Sequence, residues 1–217
     1  MKFQKYMAVG ILGLTMALGF SGCQSENQKN QDAYRKIGIN SMAEGDYDKA
    51  VKSFQKALDT SLGKIGAEEI DICYYKAAAQ FAKKDYDGAI ETYTSLIDYD
   101  KENANAYYLR GSVYLDTDKK DKAFKDYKNA VKYAGREYEI YEGIYENLTN
   151  KGETEEAKNY LKKALDIKPK DGADYAEQGH VYYLLEDYTQ AKSSLDRAID
   201  KDDKTALLYL AEVYNAT

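Results

Sequence analysis

Two observations on the sequence predict an all-α fold that forms a solenoid of helical hairpins. Charged residues make up 31% of the 217 residues and the chain has one Pro and no Trp. Such a composition, rich in Ala, Leu, Glu and Lys, favours helix. A small residue also recurs with spacings of 39, 34, 34 and 34 residues, at Ala50, Ala89, Ala123, Ala157 and Ala191. A constant period of this length is typical of a repeat architecture.

Further residues recur at fixed distances from these alanines. Four positions later stands a large residue: Phe54, Tyr93, Tyr127, Leu161 or Leu195. Twelve positions earlier stands Gly38, Ala77, Gly111, Tyr145 or Gly179, where only Tyr145 is bulky. These offsets return to about the same face of a helix, so each repeat is predicted to hold two amphipathic helices whose axes approach closely. Gly45 and Gly152 are predicted to end helices in the left-handed conformation.

This pattern resembles the tetratricopeptide repeat, most clearly in DAYRKIGINSMAEGDYDKAVKSFQKAL and YEIYEGIYENLTNKGETEEAKNYLKKALDIKP. The resemblance implies a right-handed α-solenoid of about five hairpins over residues 31–217. The predicted repeats are 31–64, 70–103, 104–137, 138–171 and 172–205, followed by a terminal helix at 206–217. A terminal helix of this kind would cap the array, because an end repeat must cover an apolar face.

Residues 1–22 have the features of a bacterial signal peptide. Lys2 and Lys5 precede an uncharged stretch over residues 7–20, which is short for a membrane span of ~20 residues. The following Phe20-Ser21-Gly22-Cys23 resembles a lipobox, with Phe where Leu is usual. The resemblance implies a lipoprotein whose Cys23 thiol carries a diacylglycerol, and its two acyl chains, such as palmitate, suffice for stable anchoring. The alternatives are an ordinary secretory signal and an uncleaved anchor helix.

The polar residues after Cys23 predict a flexible tether over 23–30, between the lipid and the repeats. Cleavage and lipidation would place the chain on the extracytoplasmic face of a bacterial cell membrane. The net charge of −6 argues against binding nucleic acid, because phosphates would repel the chain.

The sequence offers little for catalysis. His180 is the only histidine, and no catalytic triad or typical zinc cluster can be assembled around it. We therefore predict that the chain is no enzyme and has neither a cofactor nor a metal site, and that His180 is an exposed residue. Cys73 stands at a core position and is predicted to be an inert thiol.

By resemblance, the first helix of each repeat lines a concave groove that binds protein. The predicted groove has an aromatic half, made by Tyr74, Tyr75, Phe81 and Tyr108, and an acidic half, made by Glu139, Glu142, Glu146, Glu177 and His180. Aromatic rings act as anchors and carboxylates attract Lys or Arg, so the predicted ligand is a peptide or protein with apolar and basic groups. In the alternative interpretation, the tyrosines continue the core and the glutamates are simply solvated.

Together these features predict a lipid-anchored scaffold for protein–protein interaction at the outer face of the membrane, with envelope assembly as one setting. One alternative is an accessory or solute-binding lipoprotein, which a deep pocket with converging ionisable groups would favour. Another is self-association through an apolar edge near Leu207, Leu210 and Tyr214.

Overall fold

A computed structural model describes residues 26–61, 63 and 65–217. Over these residues the chain forms eleven α-helices and no strand. The helices are α1 (Glu26–Glu44), α2 (Tyr47–Thr60), α3 (Ala67–Ala82), α4 (Tyr86–Tyr99), α5 (Ala104–Asp116), α6 (Lys120–Tyr133), α7 (Tyr138–Asn150), α8 (Thr154–Ala164), α9 (Gly172–Leu184), α10 (Tyr188–Ile199) and α11 (Thr205–Ala216). The predicted all-α class is confirmed.

Consecutive helices pack in five hairpins, α1 with α2 through α9 with α10, and α11 packs against α9 and α10. The chain divides into two compact units, one extending to Tyr133 and the other covering Ala134–Thr217. The first unit contains α1 to α6, with buried cores around Phe54 and Tyr93. The second unit contains α7 to α11, and one of its buried cores surrounds Leu195.

Short turns join the two helices of each hairpin. The turn residues Gly45 and Gly152 have φ angles of 80° and 81°, as predicted, which glycine adopts without steric cost. Aspartates cap the second helices α2, α4 and α10. The side chain of Asp46 accepts from the backbone N–H of Lys49, and Asp187 accepts from Gln190 in the same way. Each cap satisfies one N–H that has no partner inside the helix.

The recurring small residues lie directly against the recurring large ones. A Cβ atom added to Gly38 would lie 2.5 Å from Cε1 of Phe54, and one added to Gly179 would lie 2.6 Å from Cγ of Leu195. Phe54 and Leu195 are fully buried. The glycines are therefore required because the large side chain of the second helix rests on the backbone of the first.

Helix α1 begins at Glu26, before the predicted start of the first repeat at residue 31. Residues 26–30, predicted to be part of a flexible tether, are helical in the structure. These residues extend a helix that is fixed further on, where buried Gln31 donates from Nε2 to Oε1 of Glu69 at 2.7 Å. Glu26, Gln28 and Lys29 have good helix propensity and help to extend this helix.

The predicted leader and Cys23 lie outside the described residues. Among the helices that the structure does describe, none combines the length and apolar character needed to cross a membrane. At the predicted apolar edge on α11, Leu207 and Tyr214 are exposed and Leu210 is half-buried.

Candidate protein-binding surface

The predicted aromatic residues all lie on first helices of the first unit, where they take part in packing. Tyr75 on α3 stacks on Phe54, with ring centroids 5.6 Å apart, and the guanidinium of Arg35 lies 5.2 Å from its ring. Tyr74 donates its hydroxyl hydrogen to Oδ1 of Asn103 at 2.6 Å. Both tyrosine side chains are half-buried and have defined partners.

The other two aromatic residues are also packed against neighbours. Phe81 meets the edge of Tyr86 at 5.5 Å, and Tyr108 is only 8% exposed, with its ring 6.4 Å from that of Tyr127. This packing favours the alternative in which the aromatic residues continue the core. Their role in ligand binding stays a prediction, and truncating them would also remove core contacts.

Part of the predicted acidic half forms a cluster in the second unit. Nδ1 of His180 on α9 lies 2.9 Å from Oε1 of Glu142 on α7, and both side chains are less than one-fifth exposed. One ligand atom from each of Glu142, Glu177 and His180 lies within 4.8 Å of the other two. We call these three residues the acidic cluster.

The other two predicted residues of this half lie on α7 near the cluster in sequence. Glu139 stands one turn before Glu142 and is exposed, whereas Glu146 stands one turn after it and is half-buried. The charge of Glu139 acts on Glu177. The exposed Glu139 is therefore the member of this half most open to an approaching partner.

Aromatic rings flank the imidazole of the acidic cluster. The ring of Tyr209 on α11 stacks on His180 with centroids 4.3 Å apart, and the ring of Tyr183 lies 6.1 Å away on α9. The Tyr209 hydroxyl donates a long hydrogen bond of 3.5 Å to Oε1 of Glu177. The prediction of an exposed His180 is thus wrong, because the terminal helix brings an aromatic ring over the imidazole.

Burial and neighbouring charges perturb the pKa values of the acidic cluster. Burial raises the pKa of Glu177 to about 7, and the charges of Glu142 and Glu139 act in the same direction. Burial lowers the pKa of His180, but its hydrogen bond to Glu142 and the surrounding carboxylates outweigh that effect and leave it above its ordinary value. Burial thus disfavours charge at both residues, while the neighbouring carboxylates favour a positive charge on His180.

Burial makes the thiol of Cys73 difficult to ionise. It is a free, half-buried cysteine on α3, and burial raises its pKa above the ordinary value. A thiol that resists ionisation is a poor nucleophile at neutral pH. This agrees with the inert role predicted from the sequence.

Comparison with known families identifies the class of this protein. The profile described as "Tetratricopeptide repeat" matches residues 32–61, 104–136, 146–171 and 175–204, which together make up more than half of the chain. A second profile, described as "TPR repeat", matches residues 77–118. The chain therefore belongs to the tetratricopeptide repeat family, whose members are generally non-catalytic scaffolds for protein–protein interaction.

Two characterised relatives are much longer than this chain. Anaphase-promoting complex subunit 3 of Schizosaccharomyces pombe is 21% identical over an alignment of 217 residues, covering 87% of this chain and 33% of that protein. Tetratricopeptide repeat protein 13 of Homo sapiens is 27% identical over 154 residues, covering 65% of this chain and 17% of that protein. The chain thus spans a third or less of the length of these relatives.

Solved structures show the same fold. A thermophilic tetratricopeptide repeat protein of Thermus thermophilus has a TM-score of 0.50 at 17% identity, with 85% of this chain and 98% of that chain covered. The pilF protein of Pseudomonas aeruginosa has a TM-score of 0.51 at 18% identity, with 88% and 87% covered. At these identities the likeness establishes the fold.

Proposed function

We propose that this protein is a lipid-anchored scaffold that binds a protein or peptide with basic groups at the extracytoplasmic face of a bacterial membrane. The observation that supports the binding role most is the acidic cluster, which places Glu142, Glu177 and His180 together on two first helices. In this family the first helices supply the ligand surface. A scaffold in envelope assembly fits this combination of anchor and binding surface.

The acidic cluster suits a Lys ammonium or an Arg guanidinium. Burial raises the pKa of Glu177 most, and the charges of Glu142 and Glu139 add to this effect. A basic group would compensate those charges, and partial burial would strengthen the charge-assisted hydrogen bonds. The ring of Tyr209, stacked beside the imidazole, offers apolar area to the stem of the basic side chain. Exposed Glu139 would attract the partner as it approaches.

The anchoring half of the proposal is supported by the leader and the lipobox-like residues that end at Cys23. Replacing Cys23 with Ala is expected to move the protein from the membrane fraction to the soluble or secreted fraction. Without the thiol no diacylglycerol can be attached, so both acyl chains that anchor the protein are lost. Cell fractionation with immunoblotting measures the change, and mass spectrometry of the mature N-terminus confirms the lipid.

Cys73→Ala is the matched control for this experiment, because it removes the other cysteine of the chain. The control is expected to remain in the membrane fraction with its lipid intact. If Cys23→Ala stays on the membrane with unchanged processing, the lipidation proposal is wrong.

The binding half is tested by crosslinking in cells followed by pull-down of the full chain. Glu177→Lys places a positive charge in the acidic cluster and is expected to abolish recovery of the partner. Asp196→Lys makes the same reversal at an exposed site on α10, a second helix, and is expected to leave recovery unchanged. Equal recovery of the partner with both variants would show that the acidic cluster is not part of the binding surface. Recovery of only a second copy of this chain would instead favour self-association.

A further inference from the structure

We propose that Glu142, Glu177 and His180 form a binding site for a first-row divalent transition-metal ion such as Zn²⁺. The proposal rests on the convergence of an imidazole nitrogen and two carboxylate oxygens within 4.8 Å of one another. The metal and the basic group of the proposed partner would compete for the same carboxylates, so the metal proposal is tested on the chain alone, without the partner.

The distances between the three ligand atoms are close to those that a bound metal requires. In a tetrahedral zinc site with ligand distances of roughly 2.0–2.2 Å, neighbouring ligand atoms lie ~3.4 Å apart. Nδ1 of His180 and Oε1 of Glu142 are already 2.9 Å apart, in a hydrogen bond. A metal would replace the proton that these two atoms share. A carboxylate oxygen of Glu177 lies within 4.8 Å of both atoms and completes the set.

The donor set and its charge select the kind of ion. In the deprotonated form that binds a metal, two carboxylates with a neutral imidazole carry two negative charges, which a dication balances. Imidazole favours Zn²⁺, Ni²⁺ or Fe²⁺, whereas Mg²⁺ and Ca²⁺ prefer oxygen ligands alone. Three protein ligands leave at least one coordination position for water or for a donor atom of a bound molecule.

Residues around the acidic cluster would hold these ligands in position. The ring of Tyr209 stacks on the imidazole at 4.3 Å and restricts its rotation, while its hydroxyl contacts the carboxylate of Glu177. Outer contacts of this kind orient metal ligands and raise affinity. The acid pair of Asp32 and Glu68 in the first unit makes a useful contrast: its carboxyls share a hydrogen bond and burial raises the pKa of Glu68 to about 7. That pair contains no imidazole.

The test is titration of Zn²⁺ into the full chain, purified without a histidine tag in detergent and in a chelator-free buffer. Isothermal calorimetry is expected to show saturable binding of one ion per chain. NMR is expected to show a shift of the imidazole resonances, which belong to His180 alone because the chain has a single histidine. Glu177→Gln and His180→Gln should each weaken binding by roughly tenfold or more, since the loss of an outer-shell contact already costs 10–100-fold. Glu68→Gln, the matched control, should leave binding unchanged.

Three results would overturn the proposal: no saturable binding, binding that the two ligand variants do not weaken, or binding that leaves the His180 resonances in place. Circular dichroism shows whether the variants are folded. If the variants are unfolded, Co²⁺ is added to the unaltered chain and its visible spectrum is recorded. The absence of the bands expected for nitrogen and oxygen coordination would contradict the proposed metal site. Pull-down of the partner is repeated in the presence of a chelator, which tests the binding function without the metal. A failure of the metal proposal can then be distinguished from a failure of the binding function.

Discussion

Replacing Asp126 with Ala is expected to lower the free energy of unfolding by about 3–5 kcal/mol, because it leaves the buried guanidinium of Arg110 without its carboxylate partner. Asp126 on α6 is only 4% exposed and Arg110 on α5 is 15% exposed. The pair is bidentate: Nε of Arg110 donates to Oδ2 at 2.7 Å and Nη2 donates to Oδ1 at 2.8 Å. Nη1 donates to the hydroxyl of Thr94 at 2.9 Å, so the guanidinium joins three helices of the first unit.

Chemical denaturation followed by circular dichroism measures this loss. Asp98→Ala is the matched control, because Asp98 pairs with Lys101 at the same distance of 2.7 Å while both side chains are more than half exposed. Breaking such an exposed pair is expected to cost far less than breaking the buried one, because solvent screens it. Equal losses in the two variants would show that burial of Arg110 and Asp126 does not determine the strength of their interaction.

Leu195→Ala is expected to cost about 2–5 kcal/mol, since it opens a cavity in a fully buried core. Gly179→Ala is expected to cost about 1–3 kcal/mol through overpacking, because the new Cβ would lie 2.6 Å from Cγ of Leu195. In the double variant the added methyl group takes up space that the leucine has left. The cost of Gly179→Ala should therefore fall to near zero or reverse in the Leu195→Ala background.

A double-mutant cycle from denaturation curves measures this coupling. Leu208→Ala provides the control, because Leu208 is 70% exposed on α11 and its truncation should change stability by no more than about 0.5 kcal/mol. Additive costs at positions 179 and 195 would contradict the close contact between these two residues.

The hairpins could be predicted from the sequence because their packing repeats. Gly38 rests on Phe54, Gly111 on Tyr127 and Gly179 on Leu195, and each pair is separated by the same number of residues. A contact that recurs at constant spacing leaves a periodic pattern. The start of α1 at Glu26 leaves no such pattern, because residues 26–30 are exposed polar residues that extend the helix without packing against anything apolar.

The environment of individual surface residues could be predicted only in part. The resemblance placed Glu142, Glu177 and His180 on one surface, and the structure brings these three side chains together. It could not show that Tyr209 covers His180, because that stacking depends on the angle at which α11 packs. Nor could it show that the ring of Tyr75 packs against Phe54 and Arg35. The repeat pattern gives the position of a residue on a first helix, but a packed ring and an exposed ring can stand at the same position.

The central claim is that the first helices of the second unit hold a protein partner, and position-resolved photocrosslinking in cells tests it most directly. A photoreactive residue replaces Glu139 or Glu146 on α7, and in parallel the exposed Asn159 on the second helix α8. We expect one adduct of the same size from both α7 positions, none from position 159, and loss of the adduct when Glu177→Lys is added. Adducts that form equally from position 159, or that persist with Glu177→Lys, would contradict the claim.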